Sequence, residues 1–158
     1  MKLSTAYIKE LKGMVNEALQ RLYHQDPELI EFAVNERSVV FRFGLYFAEL
    51  LSKSSFNGYN FDCEYNRNMG KPKRTKNFPE GVIPDILLHR RNSNDENILV
   101  LEFKGYWNKA DRENDHKKII DFTSQDEDNQ YKYALGGVVE LENGYFNVDY
   151  YLNYETEA

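Results

Sequence analysis

Asp85, Glu102 and Lys104 are the residues of this chain whose types and spacing could do chemistry. They fall within residues 84–104, where Pro84-Asp85-Ile86-Leu87-Leu88-His89-Arg90-Arg91 and Ile98-Leu99-Val100-Leu101-Glu102-Phe103-Lys104 flank the polar run Asn92-Ser93-Asn94-Asp95-Glu96-Asn97. Two apolar runs about a turn cluster predict a β-hairpin. Side chains alternate along a strand, so Ile83, Asp85, Leu87 and His89 share one face of the first strand, and Ile98, Val100, Glu102 and Lys104 share one face of the second. Folding about Ser93-Asn94 sets Asp85 opposite Glu102. Cβ atoms so opposed lie about 4.5–5.5 Å apart, and facing like charges destabilise a sheet. Two facing carboxylates with a lysine two residues on need a reason, and a bound divalent cation supplies one.

A third carboxylate stands out on the helical segment predicted over residues 36–52. At one residue per 100°, Glu36, Val40, Phe43, Phe47 and Leu51 form one stripe, flanked by Val39 and Leu50. A carboxylate in an apolar stripe needs a cation, a hydrogen-bond network or solvent. Glu36 also starts its helix, where negative charge is favoured in its own right. Both readings stand on the sequence.

The remaining segments must position these groups. Residues 4–23 place Tyr7, Ile8, Leu11, Met14, Val15, Ala18, Leu19 and Leu22 at the spacing of a helix with one buried stripe, capped by Ser4 or Thr5. Asp26-Pro27-Glu28 restarts helical structure to about Val34, with Asp26 as N-cap. A loop over 53–59 leads to a strand over 60–66 that alternates Phe61, Cys63 and Tyr65. Residues 67–80 are polar, basic and interrupted by Pro72 and Pro79, which suits a flap over a substrate and equally a loop without fixed structure.

Beyond the hairpin, a loop carries Tyr106 and Trp107, and a helix is expected over 113–122 with Asn114 as N-cap and Ile119 and Phe122 inward. Asp115 and Lys118 are neighbours on that helix, where an exposed ion pair of small weight is the plain reading. After an acidic connector, residues 131–141 with Gly136 and Gly137 suit a buried strand that something approaches closely. Asn143-Gly144 predicts a hairpin turn into a closing strand over 145–152.

The length of 158 residues fits one domain spanning 1–158. A hydrophobic fraction of 41% with twelve Tyr and ten Phe implies a folded aromatic core and excludes a disordered chain. Cys63 is the single cysteine, so neither an intrachain disulfide nor a thiolate metal cluster can form, and a reducing, cytoplasmic setting is expected. No run approaches the length of a membrane span. The net charge of −6 opposes long-range attraction to nucleic acid. The charge is uneven, however: Lys71, Lys73, Arg74 and Lys76 cluster in one loop, and His89, Arg90 and Arg91 end a strand. Such clusters are most often solvated surface.

Pro84-Asp85, sixteen intervening residues and Glu102-Phe103-Lys104 resemble the defining pattern of the PD-(D/E)XK superfamily, the restriction-endonuclease-like nucleases, in order, spacing and strand placement. Glu36, within Asn35-Glu36-Arg37-Ser38, matches the additional acidic residue that many members carry upstream on a helix. Asp115-x-x-Lys118 and Tyr131-Lys132-Tyr133-Ala134-Leu135-Gly136 look like a bacterial subgroup of small members. Gln130 and Tyr133 lack the spacing of the glutamine-x-x-x-tyrosine element of the recombination exonuclease branch.

The resemblance covers about Glu36 to Leu141. It implies an α/β (α+β) fold with a restriction-endonuclease-like core, a central mixed sheet of about five strands flanked by helices, and an N-terminal helical addition. It implies Mg²⁺ or Mn²⁺ held by Asp85, Glu102, the carbonyl of Phe103 and, directly or through water, Glu36. Lys104 would then position the nucleophile and stabilise charge in the transition state. Lys118 would contact phosphate or the site carboxylates, and Lys71, Lys73, Arg74 and Lys76 would guide the nucleic-acid backbone. The expected activity is hydrolysis of DNA phosphodiesters. Two other readings remain open: an idle nuclease-fold module that binds nucleic acid or a protein, and a homodimer through the tyrosine-rich C-terminal hairpin.

Overall fold

The computed structural model of the protein describes residues 2–153. Ser4 caps the first helix, α1 (Thr5–Gln25), by accepting the Tyr7 N–H at 3.3 Å. The stripe of Ile8, Leu11, Val15, Ala18, Leu19 and Leu22 buries against α3 (Glu36–Leu51), which presents Val39, Val40, Phe43 and Phe47 in return. Between them, α2 (Pro27–Glu31) ends short of Val34 because the chain turns left-handed at Ala33, with φ of 48°. Asp26 precedes it but makes no side-chain cap; its carboxylate instead takes the Tyr46 hydroxyl hydrogen and pairs with Arg42 at 3.6 Å. Asn35 does cap α3, accepting the Arg37 N–H at 2.9 Å, and so fixes where Glu36 begins its helix.

Five strands form one mixed sheet in an α+β fold. They are β1 (Asn60–Cys63), β4 (Ile86–His89), β5 (Leu99–Gly105), β6 (Leu135–Glu142) and β7 (Tyr145–Leu152), in spatial order 1-4-5-6-7. All neighbouring pairs are antiparallel except β5 and β6, which run parallel and are joined through α4 (Arg112–Thr123). The hairpin register is Ile86 to Leu101, Leu87 to Val100 and Leu88 to Leu99, the one expected from folding about Ser93-Asn94. Its next step brings Asp85 beside Glu102.

Strand alternation divides the core. Ile86, Leu88, Leu99, Leu101 and Phe103 face α1 and α3, with the Phe103 ring 4.9 Å from that of Phe43. Leu87, Val100 and Val138 face α4 through Ile119 and Phe122. Gly136 permits that packing, since a Cβ there would come within 2.5 Å of the Ile119 Cγ2 and 2.8 Å of the Thr123 Cγ2. The expected close approach to this strand is therefore helix α4. That helix starts earlier than expected, capped by Asp111, which accepts the Glu113 N–H at 2.9 Å, rather than by Asn114. The strand before the Asn143-Gly144 turn likewise begins at Leu135 rather than Tyr131.

The loop over 67–80 is ordered by its own contacts. A short hairpin of β2 (Arg67–Asn68) and β3 (Lys71–Pro72) turns at Met69 and Gly70, both at positive φ. The Asp121 carboxylate then holds the loop by accepting from the Thr75 hydroxyl at 2.7 Å, the Asn77 N–H at 2.9 Å and the Asn77 side-chain amide at 2.6 Å. Lys73 is only 3% exposed, its ammonium 4.9 Å from the Tyr131 ring centre and 5.7 Å from that of Tyr65. Burial pushes its pKa down to about 8. Lys73 thus corrects one expectation: surrounded by rings, it cannot reach a nucleic-acid backbone, whereas Lys71, Arg74 and Lys76 are exposed.

In β7, Tyr145 is exposed, while Phe146, Tyr150 and Leu152 pack on the first core and Tyr151 on the second. Among the described residues no helix is long and apolar enough to cross a membrane.

Candidate active site

Glu36, Asp85, Glu102, Phe103, Lys104 and Lys118 line one cavity of about 710 Å³, joined there by Asp115, a residue whose spacing alone suggested an exposed position. Three elements deliver them. The β4–β5 hairpin supplies Asp85, Glu102 and Lys104, helix α3 supplies Glu36 from its first turn, and α4 supplies Asp115 and Lys118 from one face. Asp115 precedes Ile119 by four residues and Phe122 by seven, so it belongs to the buried stripe of α4. That periodicity was the sequence signal for it.

The carboxylates are held in different ways. Asp85 Oδ2 accepts the Phe103 N–H at 2.7 Å, which ties the acid to the strand opposite. Glu36 Oε2 accepts the Gly105 N–H at 2.6 Å and Oε1 accepts the Asn108 amide, so Glu36 secures the end of β5 and the turn beyond it. Glu102 is 2% exposed; its Oε2 accepts from Lys118 Nζ at 2.9 Å, while its Oε1 is buried with no hydrogen-bond partner among the described residues. Lys104 Nζ stands 2.9 Å from Asp115 Oδ2, a contact of opposite charges without hydrogen-bond alignment, and Asp115 Oδ1 lies 3.6 Å from Lys118 Nζ.

Desolvation dominates the electrostatics. It pushes the Asp85 pKa up to about 6, against the Phe103 N–H and Lys118, which lower it. Glu102 is pushed well above the ordinary glutamate range by burial first and by the Asp85 charge second, with Lys118 opposing. Burial alone would depress Lys118, but facing Glu102 and Asp115 it is raised instead. At the rim, Cys63 keeps an exposed surface, yet partial desolvation and the nearby acids push its thiol up.

Whether these residues suit a divalent cation follows from their donors and charge. Four carboxylates, Glu36, Asp85, Glu102 and Asp115, meet two lysines, Lys104 and Lys118, leaving a formal charge of −2 when all are ionised. The remaining charged lining pair, Arg37 and Glu64, neutralise each other at 2.9 Å. A hard divalent ion matches both that charge and an unpartnered buried Glu102 oxygen. The match has a limit: among the described residues no three His, Cys, Asp or Glu side chains stand as a group able to hold a metal ion. Glu36 has both oxygens engaged by Gly105 and Asn108, and lysines face Glu102 and Asp115. The expected convergence of Glu36, Asp85 and Glu102 is thus a shared cavity rather than a preassembled ligand set.

The basic loop does not join this site. Arg74 and Lys76 line a separate cavity of about 780 Å³, which they share with Asp126, Glu127 and Asp128. Lys118, expected as a nucleic-acid contact, is engaged by the site carboxylates.

The Asp85 shift gives a stability prediction. A folded pKa of about 6 lies above the ~3.9 of an unfolded aspartate. The folded state therefore binds the proton more tightly, a stabilisation complete below about pH 4 and lost as pH rises through about 6. Asp85→Asn keeps an acceptor for the Phe103 N–H and removes the charge. In chelator, we expect it to stabilise the protein by about 1–2 kcal/mol near pH 7.5, discounted for cavity solvent, and to be neutral near pH 4. Urea unfolding at both pH values checks this, and an equal effect at the two would refute it.

Comparison of the chain with family models, curated proteins and solved structures found no match.

Proposed function

We propose that the protein is a divalent-metal-dependent nuclease of the PD-(D/E)XK type that hydrolyses DNA phosphodiesters in a cytoplasmic setting, on a restriction-endonuclease-like core. One observation carries this reading: Asp85, Glu102 and Lys104 line a single cavity in which a buried Glu102 oxygen lacks a partner among the described residues and the formal charge is −2 when all its acids and lysines are ionised. Asp85, Glu102 and the Phe103 carbonyl are the groups assigned to Mg²⁺ or Mn²⁺, and Glu36 braces the strand end that carries Lys104. The ion, when bound, supplies Lewis-acid polarisation of the phosphodiester. Lys104 Nζ is assigned to position the attacking water and to offset negative charge developing on the phosphate oxygens.

The test is incubation of the full chain with circular, linear and single-stranded DNA under Mg²⁺ or Mn²⁺. Divalent-dependent cleavage that Glu102→Gln removes is expected, and no cleavage of any substrate with either ion overturns the catalytic assignment. A second reading has its own observation, since Lys118 and Lys104 already neutralise Glu102 and Asp115. An idle binding module would retain DNA or a protein without product, even after Asp85→Ala.

A further inference from the structure

Lys118 occupies the one place in the cavity where a cation is most needed. Its ammonium lies 2.9 Å from Glu102 Oε2 and 3.6 Å from Asp115 Oδ1, and its side chain retains 23% exposure while Glu102 has 2%. Lys104, the other ammonium, stands against Asp115 Oδ2 instead. Asp115 therefore has oxygens directed at both lysines, and Lys118 has two carboxylate partners within a short swing of its four-carbon stem. Nothing in this arrangement resembles a phosphate-binding lysine, whose ammonium would be free for an anion.

We infer that Lys118 is an internal counter-cation that competes with the divalent ion for Glu102, and that Asp115 is the carboxylate that receives its ammonium when the ion takes its place. The inference rests on the metal-binding reading of the cavity and adds what sets the affinity of that site. Exchange of Lys118 between Glu102 and Asp115 leaves no buried charge unpaired at either end. It also explains how Glu102 can be buried in a protein that does not hold three carboxylates together in advance. Asp115 is a positioning residue in this scheme, acting through the two lysines.

The experiment is titration of the full chain with Mn²⁺, read as free Mn²⁺ by electron paramagnetic resonance, for the unaltered protein, Lys118→Met, Lys118→Arg and Lys117→Met. Lys117 is the neighbouring surface lysine, paired with Glu113 at 2.9 Å, and its loss subtracts the same unit of charge outside the cavity. Lys118→Met is expected to bind Mn²⁺ at least about tenfold more tightly, because a unit charge a few ångströms from the ligand oxygen is removed. Lys117→Met is expected within about twofold of the unaltered chain, since its charge is screened by solvent, and Lys118→Arg, which keeps the charge, is expected to gain nothing comparable.

Far-UV circular dichroism and the thermal midpoint establish that each variant is folded, and Lys118→Gln replaces Lys118→Met if the latter is not. Mn²⁺ binding by the unaltered chain that Lys118→Met leaves equal or weakens overturns the inference while sparing the metal-binding reading. Equal tightening by Lys117→Met and Lys118→Met also overturns it, as a long-range charge effect would suffice. Absence of Mn²⁺ binding in every protein overturns both. Binding that emerges only in Lys118→Met supports the inference in its strongest form.

Discussion

Lys104→Met is expected to destabilise the protein by about 3 kcal/mol and to eliminate divalent-dependent cleavage, while Lys104→Met with Asp115→Asn recovers most of the stability and none of the activity. The side chains of Lys104 and Asp115 are 8% and 7% exposed and 2.9 Å apart. Removing one partner of a buried ion pair leaves the other charge unpaired, at a typical cost of about 3–5 kcal/mol, whereas replacing both with neutral groups of similar shape is often close to neutral. Methionine keeps the length and apolar stem of lysine, so the change isolates the ammonium. A double-mutant cycle by urea unfolding should give a coupling of about 2 kcal/mol or more. Activity separates the two roles. On the proposed function Lys104 acts on the reacting phosphate, and loss of such a group costs about a hundredfold to a thousandfold in rate. If cleavage returns in the double variant, Lys104 is a structural partner of Asp115 and the assignment of its ammonium to the reaction is wrong.

Gly136→Val should be about as damaging as breaking the buried Lys104–Asp115 pair, although residue 136 does not line the cavity. The added Cβ would fall 2.5 Å from Ile119 Cγ2 and 2.8 Å from Thr123 Cγ2, and both belong to α4. Neither is the far end of a long flexible side chain, so the helix must shift. Overpacking a close-fitting core costs about 1–3 kcal/mol even for single methylenes, and this contact exceeds that. A displaced α4 would carry Asp115 and Lys118 out of register with Lys104 and Glu102. We therefore expect an unfolding free energy lower by more than about 3 kcal/mol and, on the proposed function, loss of any Mn²⁺ affinity in whatever fraction stays folded. Gly13 provides the contrast. It lies within α1, and a Cβ added there would meet nothing within 4 Å, so Gly13→Ala should stabilise by about 0.5–1 kcal/mol. Equal effects of the two substitutions would refute the packing argument.

Much of the frame was legible because short-range rules governed it. The turn cluster around Ser93-Asn94 fixed the register of β4 and β5, and with it the pairing that brings Asp85 to Glu102. Apolar spacing placed α1 and α3, and the Gly136-Gly137 pair marked where a neighbour presses on the sheet. Failures came where a long-range contact decided the outcome. Lys73 sits in a basic run, and only the fold brings Tyr65, Phe122 and Tyr131 around it. Asp115 and Lys118 looked like an exposed pair because their charge outweighed the spacing that puts Asp115 in line with Ile119 and Phe122, and the sheet face that covers them is not visible in the sequence. For Glu36 the sequence left open a cation, reached directly or through water, a hydrogen-bond network and the helix start; its oxygens accept from Gly105 and Asn108, whose positions depend on how β5 ends. The N-cap of α4 moved from Asn114 to Asp111 because two capping residues lay three apart and the sequence ranks them alike.

The parallel pairing of β5 with β6 ties the ion pairs of the cavity to a distant part of the chain. The hairpin with Asp85, Glu102 and Lys104 joins near neighbours in the chain, but α4 has no seat until β6 is made and lies alongside β5, with β7 covering its other edge. Parallel strands need such a crossover and pair late compared with hairpins. Glu102 meets Lys118, and Lys104 meets Asp115, only where α4 is seated against β5 and β6, so these two ion pairs depend on the crossover as well as on the hairpin.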